Sequence, residues 1–188
     1  MSSIPPWFPA NETKPAPMPL LLVQGFVNTL DLEEGTDVLA DPDTARDWLV
    51  GARLLDPAAP PSPSELELAR EFREGLRYLL LRTDDAPDRL TPLRRVTDTH
   101  PARLAVLDGG AIELEARGHE DVGDALFDLI LIVHKAQQDG SWGRLKVCAN
   151  SDCRWAFFDR SRNQQGSWCD MAVCGNRLKN RELRARRR

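Results

Sequence analysis

Cys148-Ala149-Asn150-Ser151-Asp152-Cys153 and Cys169-Asp170-Met171-Ala172-Val173-Cys174 are the two stretches on which the reading of this chain turns. They hold all four cysteines of the 188-residue sequence, in a C-x4-C-x15-C-x4-C arrangement confined to the last 41 residues. Each close pair offers two sulfurs from one turn of chain. Two such turns close a tetrahedral all-sulfur shell with metal–sulfur bonds of about 2.3 Å, and zinc is the metal that suits it. Four thiolates leave no open coordination position, so the metal is structural rather than catalytic. An iron–sulfur cluster is the alternative occupant. Four unconnected buried thiols is the other reading, and the clustering of every cysteine argues against it. Disulfides are a poor account. Met1 to Pro6 has neither the basic nor the apolar region of a signal peptide, so a cytoplasmic location with reduced thiols is expected.

Between the pairs, Trp155 to Phe158 and a turn near Asn163 to Gly166 suggest a short hairpin, and Met171 onward reads as helix with Cys174 in its first turn. Knuckle, hairpin and helix together give a treble-clef-like finger. Beyond Cys174 the chain is strongly basic. Arg177, Arg181, Arg184 and Arg188 step by 4, 3 and 4 residues, which places them on one helix face. Such a stripe can bridge successive phosphates. It can equally be a solvated helix end favoured by the helix dipole. Residues 144–188 carry 12 Lys+Arg against 4 Asp+Glu, whereas residues 1–143 carry 13 against 25, so an acidic body precedes a basic end.

The body is expected to be helix-rich. Six prolines in residues 1–19 predict an extended, poorly ordered start. Helices are predicted over 20–32, 42–55 with Asp41 as cap, 64–81 with Ser64 and Glu67 as a capping box, 90–99 and 120–138. Leu68, Phe72, Leu76 and Leu79 form the expected core stripe of the third. Leu104 to Asp108 and Ala111 to Glu115 flank Asp108-Gly109-Gly110 and read as a β-hairpin with one buried and one wet face. Gly140 to Gly143 marks a junction at which Trp142 can dock the tail on the body. The fold class is therefore α+β: a helix-rich body with a β-hairpin over 20–143, and the finger over 144–188.

No phosphate-binding glycine loop is present. The longest apolar stretch, Leu126 to Val133, is broken by Asp128 and too short to span a bilayer. His100, His119 and His134 stand near no nucleophile or second ligand, and Glu113 and Glu115 read as the wet side of a strand. No catalytic site is expected. Asn28 and Thr29 read either as a ligand-binding pair or as a buried polar cap.

Cys174-Gly175-Asn176-Arg177 spells C-G-N-R after paired cysteines, and this resembles the CGNR zinc finger. Phe26-Val27-Asn28-Thr29-Leu30 resembles the signature of the ABATE domain that usually precedes that finger. The resemblance implies a stress-linked bacterial transcription regulator. Cys148, Cys153, Cys169 and Cys174 would hold one Zn2+ per chain, behind a body that senses a small-molecule effector or forms a homodimer. Gly175 would let the helix approach the metal loop. Asn176 and Arg177 would contact a base edge or phosphate, or buttress the finger. The leading expectation is a zinc-dependent regulator binding double-stranded DNA through Asn176, Arg177, Arg181, Arg184 and Arg188. The rivals are a protein-interaction module and an RNA binder using Trp155, Phe157 and Phe158 as stacking platforms.

Overall fold

A computed structural model describes residues 5–9, 12–56, 60–83, 85–116, 118 and 121–177. The first helix, α1 (Leu20–Val27), is buried along its whole length. Its predicted extension to residue 32 does not form, because Leu30–Asp31 (β1) leaves it to pair with Thr36–Asp37 (β2). Asp41 caps α2 (Pro42–Gly51) by accepting from the amides of Asp43 and Thr44, with Pro42 in the first turn.

The long helix α3 (Pro63–Leu81) has its cap two residues before the predicted one. Ser62, not Ser64, forms the capping box, with Glu65 in place of Glu67: the Glu65 amide donates to Ser62 Oγ at 3.3 Å and the Ser62 amide to Glu65 Oε2 at 2.8 Å. Pro63 sets the helical φ at the first position and so moves the start. The core stripe of α3 follows Leu66, Ala69, Phe72, Leu76 and Leu80, while Leu68 and Leu79 lie only partly buried on its flanks.

Two more helices complete the body, α4 (Thr91–Thr99) and α5 (Val122–Gln138), the latter capped by Asp121. Between them β3 (Arg103–Val106) and β4 (Ile112–Glu115) form an antiparallel hairpin. The predicted single wet face is corrected here. Leu104, Val106 and Ile112 are 71%, 75% and 66% exposed, so the apolar side of the hairpin is open as well. The final pair, β5 (Leu145–Val147) and β6 (Ala156–Phe158), is antiparallel with Leu145 opposite Phe158.

One apolar core connects these elements. Phe26 lies between Trp48 and Phe72, with ring centroids at 5.8 and 6.1 Å. Leu145, Ala156 and Phe158 join the same core. Charge and cysteine content change at residue 144, while packing runs across it.

Within the proline-rich start, predicted to be extended and poorly ordered, the described residues pack against the body. Phe8 and Ala16 are buried, and Trp7 meets Trp48 edge-on at 5.6 Å. The Phe158 amide donates to Lys14 O at 2.9 Å, so residues 12–16 lie as a strap along β6. Proline removes amide donors and favours extended chain, but it does not prevent docking on a sheet edge. No described helix is long and apolar enough to cross a membrane.

Candidate metal centre and its seat on the body

The first cysteine pair sits at the tip of the β5–β6 hairpin. The knuckle turn closes when the amides of Cys153 and Arg154 both donate to Asn150 O at 3.0 Å. The hairpin thus encloses the first pair instead of lying between the two pairs as the spacing suggested. Asp159 organises the return loop. It accepts from Lys146 Nζ and the Gly166 amide at 2.8 Å and from the Ser161 amide at 3.0 Å. Burial raises its pKa, but these donors outweigh burial and hold the carboxyl well below the ordinary range. The loop closes on the knuckle through the Ala149 amide and Ser167 O at 2.8 Å. Asp170 then caps a wide helical turn over Met171–Gly175 by accepting from the Val173 amide at 2.9 Å, and Cys174 lies within that turn.

The four Sγ atoms lie within 4.8 Å of one another. Cys153 to Cys169 and Cys169 to Cys174 both measure 3.6 Å. A tetrahedron with bonds of about 2.3 Å has edges of about 3.8 Å, whereas a disulfide requires about 2.05 Å. All four cysteines are free, and three are fully buried. Their electrostatics are those of a shell built for a cation. Thiol hydrogen bonds from Cys153 and Cys169 pull Cys148 far down, while that same neighbour pushes Cys153 and Cys169 up, and burial pushes up Cys174. Four adjacent thiolates need a divalent ion to coexist. The four cysteines are positioned to bind one zinc ion. Gly175 permits the close approach of the turn to its surroundings: a Cβ there would stand 2.6 Å from Met171 Sδ and 3.3 Å from Trp168.

The finger is fastened to the body through its backbone. Asn28, at the end of α1, donates from Nδ2 to Ala156 O at 2.9 Å and accepts from the Ala156 amide at 2.7 Å. Gln24, one turn earlier, donates to Ala156 O at 3.1 Å and accepts from the Ala16 amide at 2.6 Å. The strap adds Trp155 Nε1 to Glu12 at 2.7 Å and Lys14 Nζ to Trp168 O at 2.6 Å.

Comparison with known families now has a geometry to meet. The ABATE model, described as "Putative stress-induced transcription regulator", matches residues 22–136, more than half of the chain. The chain belongs to the ABATE family. The CGNR zinc finger model matches residues 144–187. A search of the curated proteins returns no match.

Within the ABATE body, the polar atoms of Asn28 and Thr29 are used internally. Asn28 holds the CGNR finger, and the Thr29 hydroxyl donates to Phe26 O at 2.7 Å and accepts from Arg73 at 3.1 Å. Arg73 is itself buried and grips Asp37 with both terminal nitrogens at 2.6 and 2.8 Å. Burial raises the Asp37 pKa, but the Arg73 fork and the Leu39 amide outweigh it and hold the carboxyl below its ordinary value.

In the CGNR finger, Asn176 is exposed and its side-chain amide donates back to Ala172 O at 3.0 Å. Arg177 pairs with Glu33, in the β1–β2 turn of the ABATE body, at 2.5 Å. Arg181, Arg184, Arg188 and Leu178 lie outside the described residues. Phe157 and Phe158 are buried and offer no open face for stacking bases, while Trp155 is half-buried with its Nε1 donating to Glu12.

Gln24, Glu33 and a cationic cleft were missed from sequence. Gln24 had a signal, since it lies four residues before Asn28 on the same face of an apolar helix. The cleft, of about 320 Å³, is bordered by Arg82, Lys146 and Arg154. Arg82 donates to the carbonyls of Trp142 and Leu145 at 2.8 and 3.0 Å and meets no carboxylate among the described residues. Arg154 borders the same cleft, and its backbone is fixed by the Asn150 carbonyl.

Proposed function

We propose that this protein is a zinc-dependent transcription regulator whose finger binds duplex DNA and whose body senses a ligand or dimerises. The observation that carries the reading is the zinc-ready shell itself. It fixes the first turn of a segment whose residues 144–188 carry 12 Lys+Arg against 4 Asp+Glu, and it leaves Asn176 and Arg177 exposed at that turn. The family description supports the regulator class. Arg177, Arg181, Arg184 and Arg188 supply phosphate contacts, and Asn176 stands beside the first of them. Arg82 and Arg154 add positive charge at the cleft beside the metal knuckle. For the sensing role, a cavity of about 520 Å³ opens between α1, α5 and β4, lined by Leu22, Leu54, Leu114, Leu131 and Arg53 among others. That size and lining suit a small organic effector.

The test is binding of zinc-loaded protein to duplex DNA, single-stranded RNA and heparin, followed by fluorescence anisotropy across a salt series. Neutralising three or four phosphates per chain gives a slope of log K against log salt of about −3 to −4 on duplex DNA. Equal binding to heparin and duplex, or none to either, removes the DNA reading. A second reading, docking of an acidic protein, draws on the Arg177–Glu33 pair, in which a finger arginine already donates to a carboxylate. Binding to an acidic polypeptide with no binding to duplex favours it.

A further inference from the structure

The cavity between α1, α5 and β4 differs in charge from the body that holds it. Residues 1–143 carry 25 Asp+Glu against 13 Lys+Arg. The lining of the cavity reverses that balance, with Arg53, Arg103 and Lys135 against Glu115 and Asp128. All of these charges but one are matched. Arg103 meets Glu115 at 2.7 Å, Lys135 meets Glu113 at 3.3 Å, and Asp128 has a partner of its own. Arg53 belongs to no ion pair among the described residues. Around it the walls are apolar. Leu22 and Leu54 are buried in the core, and Leu131 and Ile132 of α5 are half-buried.

Arg53 is also held under strain. A Schellman turn closes α2: the Arg53 amide donates to Val50 O at 3.0 Å and the Leu54 amide to Leu49 O at 2.9 Å. In that turn the residue after the helix cap takes a left-handed backbone, and glycine is its usual occupant. Here the residue is Arg53, at φ +59°. Its Cβ crowds the following carbonyl in that conformation, so glycine would close the turn with less strain. Strained residues of this kind gather at ligand clamps.

We infer that the cavity binds a small apolar monocarboxylic acid, its carboxylate on Arg53 and its hydrocarbon body against Leu22, Leu54, Leu114 and Leu131. This rests on the sensing role proposed for the body and names the class of effector. The planar guanidinium offers two parallel N–H donors that match a carboxylate. One unmatched cation balances one negative charge, whereas a diacid or a phosphate monoester would bring a second without a partner. An amine would face Arg53 with like charge. A wholly polar acid would leave its own groups unpaired against the leucines. The volume of about 520 Å³ lies within the range of small-molecule sites. Leu22 stands two residues before Gln24, which donates to Ala156 O of the finger, so an occupant presses on the helix that carries the joint.

The experiment is isothermal titration of the full zinc-loaded chain with sodium decanoate. The expected dissociation constant is on the order of 10–100 µM, at about one per chain. From hexanoate to decanoate, each added methylene tightens binding by about two- to fourfold, the increment of burying a CH2. Decanol binds about tenfold more weakly than decanoate, and cationic decylamine more weakly still. Arg53→Gln brings decanoate down to the affinity of decanol and leaves decanol unchanged. Arg94→Gln, at an exposed arginine of α4 outside the cavity, binds decanoate as wild type does. Arg53→Gly separates recognition from folding. Glycine suits the left-handed turn, so this variant melts about 2–4 °C higher without ligand and still loses about tenfold on decanoate. Absence of decanoate binding at millimolar concentration overturns the inference, as does wild-type affinity in both Arg53 variants. Binding of decanol or decylamine in preference to decanoate overturns the carboxylate assignment and leaves the sensing role standing. None of these readouts involves DNA, so a failure here is distinct from failure of DNA binding.

Discussion

Replacing Asn28 by alanine removes both polar ends of the joint between body and finger. Ala156 is wholly buried. Its carbonyl keeps Gln24 Nε2 at 3.1 Å, but its amide loses the Asn28 acceptor and has no water to replace it. An unsatisfied buried donor costs about 1–3 kcal/mol, and the lost bond to the carbonyl adds about 0.5–1.5 kcal/mol. Asn28→Ala should therefore destabilise the zinc-loaded protein by about 2–4 kcal/mol. At a urea dependence of about 2–3 kcal/mol/M, the unfolding midpoint falls by roughly 1 M. Asn28→Asp sharpens the test. The carboxylate still accepts from the Ala156 amide but sets a second oxygen against the Ala156 carbonyl, so burial and that oxygen raise its pKa above the unfolded value. The deficit against wild type is then largest at neutral pH, and it shrinks as pH falls through the raised pKa and the protonated acid donates to the carbonyl. An Asn28→Ala protein within about 0.5 kcal/mol of wild type, the range of an inconsequential surface change, would refute this account of the joint.

Zinc removal should reach beyond the finger. Hydrogen exchange with and without chelator is expected to show lost protection over 144–177, over the strap at 12–16 and at the end of α1, because these meet at Ala156; loss confined to 144–177 would contradict the shared core. The Asp37–Arg73 pair predicts acid sensitivity. Asp37 has a depressed folded pKa, so its stabilisation is present above the unfolded carboxylate value of about 3.9 and is lost as pH falls through the folded value; in thermal melts from pH 6 to 3, Asp37→Asn should be less stable at pH 6 and flatter towards acid. Glu33→Gln should free Arg177 and raise duplex affinity about threefold at low salt, an effect of the size of one exposed ion pair; unchanged affinity would place Arg177 outside the DNA contact.

The long elements were legible because periodicity is a local signal. Leu68, Phe72, Leu76 and Leu79 and the α5 face repeat often enough to specify helices, although the buried stripe of α3 is rotated onto Leu66, Ala69 and Leu80. The metal shell was legible because paired spacing leaves few other arrangements for four thiolates. What sequence could not supply was the identity of distant partners. Period-two alternation says that Leu104, Val106, Ile112 and Leu114 share a face, but not whether anything covers that face. Asn28 stood out as polar beside an apolar helix, yet its partner lies 128 residues away. Ser64 and Ser62 both satisfy the capping pattern, and only the proline between them decides.

The strap makes the order of synthesis matter. Lys14 reaches Trp168 across 154 residues and Glu12 reaches Trp155 across 143. On a ribosome adding about 5–20 residues per second, residues 12–16 wait roughly 10–30 s for the segment they clasp. Until then α1 exposes the Gln24 and Asn28 face on which β6 will sit. Contacts this distant in sequence close late and slowly. The stretch that completes the first helix is thus made 128 residues after it, and a chain truncated before Cys148 would leave α1 open to chaperones and proteases.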